Sequence, residues 1–406
     1  MEQEVRKGPL AGVRVIELAG IGPGPLAGML LADMGAEVLR IERPGETDLG
    51  VKRERRHDLM LRGRKPIALD LKDPQAVAAV LDLVASADAL IEGYRPGVTE
   101  RMGLGPDVCL ARNPRLVYGR ITGWGQTGPL AHTAGHDINY ISLTGALNAI
   151  GRRGQPPSVP LAYLGDFAGG GMFLLAGVLA ALVEAGKSGK GQVVDAAIVD
   201  GVAALGSVFH GLVAAGQWHP ERGTNILDSG AHYYNVYQCK DGGWISVGPI
   251  EARFYRDLLA RIGIDPASLG EQGDQDKWEA AGERLAEVFR TRTRGEWCDL
   301  LEGTDVCFAP VLSYEDAPHH RHLKARETFV EIDGVMQPAP APRFSRTPSA
   351  LPAPPRKPDV RDYEHTLAGW LPPERIEAVR ALSERAATAA ASGHAGHGQP
   401  HKDRQP

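Results

Sequence analysis

A chain of 406 residues is long enough for two domains, and 43% apolar with 23% charged residues is the balance of a globular protein with a sizeable core. That composition excludes wholesale disorder and a fibrous chain, and 50 glycines with 30 prolines imply many tight turns. Lys and Arg number 45 against 50 Asp and Glu, a net charge of −5, which argues against nucleic acid or an anionic membrane as partner but leaves room for a small anion held by a few local cations.

Met1 to Pro9 is charged and has no apolar stretch, so no secretory signal is expected. Residues 12–43 then read as strand, glycine turn, helix, strand. Val13 to Leu18 is β-rich, Gly20-Ile21-Gly22-Pro23-Gly24-Pro25 turns the chain, Leu26 to Met34 has helical periodicity, and Glu37 to Ile41 is a second strand. A helix and strand follow in Pro74 to Gly93, the strand at Ala87 to Ile91, and Leu116 to Ile121 is another strand. Alternating β and α units predict an α/β fold with a parallel sheet wrapped by helices. Met172 to Val183 is the most apolar stretch; at 12 residues it falls short of the roughly 20 a membrane span needs and reads as a core helix.

The pattern changes near Tyr233. Tyr233 to Cys239 and Trp244 to Val247 predict a hairpin, followed by helices over Arg253 to Gly263, Trp278 to Thr291 and Arg294 to Leu301. Residues 1–224, completed by 326–371, are expected to form a large domain and 225–325 a smaller α+β one. The five prolines of 347–358 suggest an extended strap. Over 372–406 a helix opening at Pro373 should give way, from Thr388, to a disordered tail. Cys109, Cys239, Cys298 and Cys307 are widely spaced, and the chain ends Arg404-Gln405-Pro406, which is no peroxisomal address. A reduced, cytoplasmic protein is expected.

Three tempting signals fail. Gly20 to Pro25, with Glu42 as a ribose acceptor, reads GxGxGP instead of the dinucleotide fingerprint, and its prolines remove two amides. Gly186-Lys187-Ser188 follows a helix, with Ala181 where a phosphate loop needs glycine. His319, His320 and His322 have no helical i, i+4 pair and no nearby Cys, so no metal is expected there.

Three segments carry chemistry: Gly135-His136-Asp137-Ile138-Asn139-Tyr140, Gly165-Asp166-Phe167-Ala168-Gly169-Gly170-Gly171-Met172, and Val247 to Tyr255 around Glu251. Asp166 ahead of a helix reads first as an N-cap. The glycines after it are poor helix formers that would let a ligand approach the backbone, and amides at a helix start can cradle an enolate oxygen. A His and an Asp on opposite sides of one carbon can each remove or return a proton, and a carboxylate such as Glu251 can hold the imidazole. Read alone, Glu251 is equally a loop acid opening a helix.

These segments resemble the family III CoA-transferases and, within them, the α-methylacyl-CoA racemase branch. The resemblance runs from Leu10-Ala11-Gly12-Val13 to Pro342-Arg343-Phe344-Ser345-Arg346-Thr347, through Glu92 to Val98 and Thr122 to Pro129. It implies that His136 and Asp166 are the two acid/bases and that Glu251 pairs with the histidine. It implies CoA contacts at Arg43, at Leu69, Asp70, Leu71 and Lys72, at Gly93, Tyr94 and Arg95, at Arg101, and along the backbone of Gly135, Asp137, Ile138, Asn139 and Tyr140. The fold implied is a Rossmann-like large domain and a small domain, the site in a cleft between them, in an interlocked homodimer. The activity implied is inversion at C2 of a 2-methylacyl-CoA thioester, with no cofactor beyond the CoA of the substrate. The competing activities are CoA transfer with Asp166 as nucleophile, and acyl-CoA binding without catalysis. Neither gives His136 and Glu251 a task.

Overall fold

The computed structural model describes residues 7–45 and 50–395 and places them in two compact units. The first takes in the described residues up to Tyr140, Ala162–Ala204 and the described residues from Phe329 onward; the second takes in Ile141–Leu161 and Leu205–Thr328.

The first unit is built on six parallel strands, β1 (Arg14–Leu18), β2 (Glu37–Glu42), β3 (Arg64–Ala68), β4 (Ala89–Glu92), β5 (Val117–Thr122) and β6 (Gln192–Ala197), in the order β3-β2-β1-β4-β5-β6. This is the Rossmann order. It reverses between β1 and β4, so loops leaving the carboxyl ends of those strands line a crevice suited to a ligand. β3 and β6 had no clear sequence signal: β3 opens Arg64-Lys65-Pro66, and β6 is an edge strand whose first four residues are not buried.

Helix Pro23–Asp33 connects β1 to β2, and helix Pro74–Val84 starts on Asp73, whose side chain accepts the Gln75 amide at 2.8 Å. Ala76, Val80, Leu83 and Val84 pack with Ile16, Leu39 and Ile67 of the sheet and with Tyr363, Trp370 and Val379. The last of these lies in helix Pro373–Ala395, so the C-terminal helix is part of this unit's core and not an appendage. The helix also runs past Thr388, where a disordered tail was expected. Residues 396–406 and Met1 to Arg6 lie outside the described residues. The proline strap is extended and bonded to the unit, with the Gly63 amide donating to the Ala353 carbonyl at 2.9 Å.

The apolar run around Met172 belongs to a continuous helical segment, Tyr163–Ser188, of 26 residues, whose most apolar 18-residue window has a mean hydropathy of 1.8, long and apolar enough to cross a membrane. Here it lies along the sheet: Leu174 and Val178 are buried and lean on Gly119 of β5, where a Cβ would come within 2.9 Å of both.

In the second unit, β7 (Asn235–Gln238) and β8 (Trp244–Val247) form the expected hairpin, and β9 (Phe308–Val311) pairs with β8 as a third antiparallel strand. Helices Ala252–Ile262, Trp278–Phe289 and Arg294–Leu301 pack around Tyr237, Ile245 and Phe289. The boundary falls at 205, not 225, and the unit includes 141–161. Arg222 explains the inclusion, since it donates to the Asn148 carbonyl, the Asn148 side chain and the Gln155 carbonyl, each at 2.9 Å.

Candidate active site

His136 opens the short helix Asp137–Leu143. Its carbonyl accepts the Asn139 amide at 2.8 Å, its own amide donates to the Asn139 side chain at 3.0 Å, and the imidazole is exposed. The Tyr140 hydroxyl donates back to the Gly135 carbonyl, and its ring stands edge-on to Trp124 at 4.8 Å. Gly123 and Gly135 are required beside that ring, because a Cβ on either would meet it at 2.0 or 2.7 Å. The His136 turn is therefore held from within, by its own asparagine and tyrosine.

Asp166 is not an N-cap. It lies inside a wide π-type segment, Tyr163–Met172, in which the Phe167 amide reaches back five residues to the Ala162 carbonyl at 3.0 Å. Its own amide donates to Asp137 Oδ1 at 2.8 Å. The amides of Asp166 and Phe167 are thus spent, and they do not form the enolate cradle the sequence suggested. The three glycines after Asp166 also serve another purpose. A Cβ on Gly169 would lie 2.5 Å from Val202, and one on Gly170 or Gly171 would lie 3.0 Å from Pro23 or Leu26. They let this helix close on helices Ile198–Leu205 and Pro23–Asp33; they are packing residues and not a ligand's approach.

The Asp166 carboxylate faces the glycine turn that follows β1. A Cβ on Gly22, whose φ is +70°, would stand 3.1 Å from Asp166 Oδ2. Two buried arginines fix that turn. Arg40 bonds Glu17 and reaches the Gly20 carbonyl at 3.2 Å, while Arg64 donates to Glu17 Oε2 at 3.0 Å and also bonds the Pro25 carbonyl. The segment set aside as a failed dinucleotide loop is therefore a wall of the site. Sequence reasoning missed Gly22, Arg40 and Arg64; the GxGxGP spacing after a strand was the available signal.

Burial pushes the Asp166 carboxyl up to about 6; Asp137 adds to the shift and His136 opposes it. His136 and Asp166 are thus brought together, with a carboxyl group that titrates near neutrality. Burial, with a further push from Asp166, also raises the Tyr140 hydroxyl to about 12 against an opposing Arg95, so that it remains a donor.

Glu251 lies in the second unit. It caps helix Ala252–Ile262 through its carbonyl, which accepts the Phe254 and Tyr255 amides, and its side chain makes no capping bond. The exposed carboxylate remains available for another partner.

Three groups of the residues expected to touch CoA share one edge of the sheet. Arg43 follows β2, Leu69 to Lys72 follow β3, and Gly93 to Arg95 follow β4, all at the carboxyl ends of parallel strands. The Arg43 guanidinium lies 5.8 Å from the centre of the Tyr94 ring, and the Glu92 side chain accepts the Tyr94 amide at 2.6 Å. Arg43, Asp70, Lys72, Arg95, Arg101, Ile138 and Asn139 are exposed. Leu69 is fully buried in the core and Asp137 is turned inward, so their side chains are not offered to a ligand on this edge.

Residues 10–360 match CoA-transferase family III. The chain belongs to that family. It is 44% identical over 360 residues to the alpha-methylacyl-CoA racemase of Mus musculus, covering 88% of this chain and 91% of that one. With the alpha-methylacyl-CoA racemase of Homo sapiens it shares 41% over 361 residues, covering 88% and 92%. A crystal structure of a CAIB/BAIF family protein from Brucella suis superposes with a TM-score of 0.77 at 25% identity, covering 90% of this family III chain and 100% of that one.

Proposed function

We propose that the protein is an α-methylacyl-CoA racemase, interconverting the two C2 epimers of a 2-methylacyl-CoA thioester. The observation that carries this is the pairing of an exposed imidazole, His136, with a carboxyl group pushed up to about 6, Asp166, in a chain 44% identical to a racemase of that name. One group takes the C2 proton, the thioester becomes an enolate, and the other returns a proton to the opposite face. The two exchange roles when the direction reverses. A base or acid with a pKa near the working pH is most effective, and a carboxyl near 6 meets that need better than an ordinary aspartate. No separate cofactor enters, since the thioester itself acidifies C2.

Glu251 is assigned to hold the His136 imidazole, and Arg43, Lys72, Arg95 and Arg101 to bind the phosphates of CoA. We place the enzyme in the cytoplasm, in line with four free cysteines, and assign it to fatty-acid and related lipid metabolism. The assembly is a homodimer. Helix Ser207–Ala214 has no buried residue, and Val208 and Val213 are each 57% exposed, an apolar face that a second copy would cover. Light scattering should give twice 43.4 kDa; a monomer at micromolar concentration contradicts the assembly.

The deciding measurement is proton NMR of one 2-methylacyl-CoA epimer with the protein in heavy water. Loss of the C2 proton with appearance of the other epimer is expected. A proton that persists rules out racemisation of that substrate, and transfer of CoA to an added carboxylic acid, with Asp166 as nucleophile, becomes the reading to test. His136→Ala and Asp166→Ala should each lower turnover by about 10²–10⁴-fold.

A further inference from the structure

Asp137 directly follows the exposed His136 yet is only 7% exposed. One carboxylate oxygen, Oδ1, accepts the Asp166 amide at 2.8 Å. The other, Oδ2, is fully buried and has no hydrogen-bond partner. A buried carboxylate oxygen without a donor is costly and calls for a reason. The hydrogen bond alone does not supply one, because an asparagine would accept the same amide through its own oxygen and leave no buried charge. What the carboxylate adds is a negative charge beside the Asp166 carboxyl group.

We propose that Asp137, on the racemase reading above, is a positioning residue of the proton transfer: its inward carboxylate ties the His136 turn to the Asp166 main chain and sets a second carboxylate against the one that reacts. The titratable groups that act on Asp166 are few. His136 opposes Asp137, Tyr140 faces both aspartates, and Arg95 acts on Tyr140; the Gly20 to Pro23 turn brings no titratable side chain. Replacing Asp137 by a neutral isostere should therefore return Asp166 toward an ordinary aspartate without unfastening the helix. Asp166 then becomes a weaker base in one direction and less often protonated in the other.

The test is Asp137→Asn, read in two ways. In protein with carbon-13-labelled aspartate, the Asp166 carboxyl resonance, assigned by its absence in Asp166→Asn, should titrate near 6 in the parent. In Asp137→Asn it should titrate about one pH unit lower. In kinetics, the acid limb of kcat/KM should move the same way, with kcat reduced about three- to tenfold and KM little changed. An Asp166 titration that does not move in Asp137→Asn overturns the proposal, whatever the activity. If the parent shows no C2 exchange while the titration still moves, the racemase reading fails and the coupling of the two carboxylates stands. Should Asp137→Asn not fold, Asp137→Ser removes the same charge with a smaller side chain and is read by the same titration.

Discussion

Asp166 shows how a single side chain can be set by its surroundings against its own stability. Its folded pKa of about 6 lies above the ordinary aspartate value, so the folded protein binds this proton more tightly than the unfolded chain does. The sign follows: the ionised carboxylate destabilises the fold at pH 8, and that penalty fades as pH falls below about 6. Asp166→Asn, which is neutral at every pH, should therefore raise the melting temperature at pH 8 by about 2 °C while lowering turnover by about 10²–10⁴-fold, and the gain should vanish near pH 4. Thermal melts of both proteins across that range check this; a variant no more stable at pH 8 contradicts the assigned burial. Gly22 is set by the same carboxylate. Its positive φ and the 3.1 Å separation from Asp166 leave no place for a side chain, and Arg40 and Arg64 hold the turn in that conformation.

At the scale of elements, the π-type segment Tyr163–Met172 and its glycines form one device. A wide turn brings Asp166 to the mouth of the sheet, and Gly169 to Gly171 let the helix behind it approach two neighbours closely. The tightest crossing is at Gly201, where a Cβ would lie 1.9 Å from the Gly169 carbonyl oxygen. Backbone cannot give way as a flexible side chain can. Gly201→Ala should cost about 1–3 kcal/mol and, by pushing the Asp166 helix aside, lower turnover although residue 201 touches no substrate. Urea unfolding with steady-state kinetics tests both effects, and unchanged stability rules out this crossing as the glycines' purpose. Sequence periodicity located the helix but not its width or its partners, because a glycine run looks the same whether it faces a ligand or another helix.

On the scale of the whole molecule, the two units differ in what acid does to them. In the second unit His232 is 2% exposed, with Nε2 2.6 Å from the Tyr255 hydroxyl and a buried Nδ1 that has no hydrogen-bond partner. Burial holds its pKa down at about 4. A histidine whose folded pKa is depressed contributes full stability above its unfolded value of about 6.5, and that stability is lost progressively as pH falls toward 4. Between pH 7 and pH 5 the second unit should lose about 2 kcal/mol. Hydrogen exchange over Ala252–Ile262 should accelerate accordingly, and His232→Gln should flatten the pH dependence. Exchange that is independent of pH in the parent would show that this histidine is not held neutral by burial.

Much of this protein is written in its sequence. Alternating β and α runs specify a parallel sheet, because the strands that Ile16, Leu39 and Leu90 occupy are buried on both faces and need helices to cover them. The GHDINY and GDFAGGG runs mark the site, since acid and base residues next to turn-forming glycines stand out locally. Other features depend on contacts between residues far apart in the chain. Tertiary structure decided that Asp137 turns inward onto the Asp166 amide, 29 positions away. It also decided that the GxGxGP turn walls the site, that the glycine triplet packs helices, and that the C-terminal helix closes the first core. A hydrogen bond or a 1.9 Å clash is a relation between two places, and periodicity along one strand or helix carries no record of it.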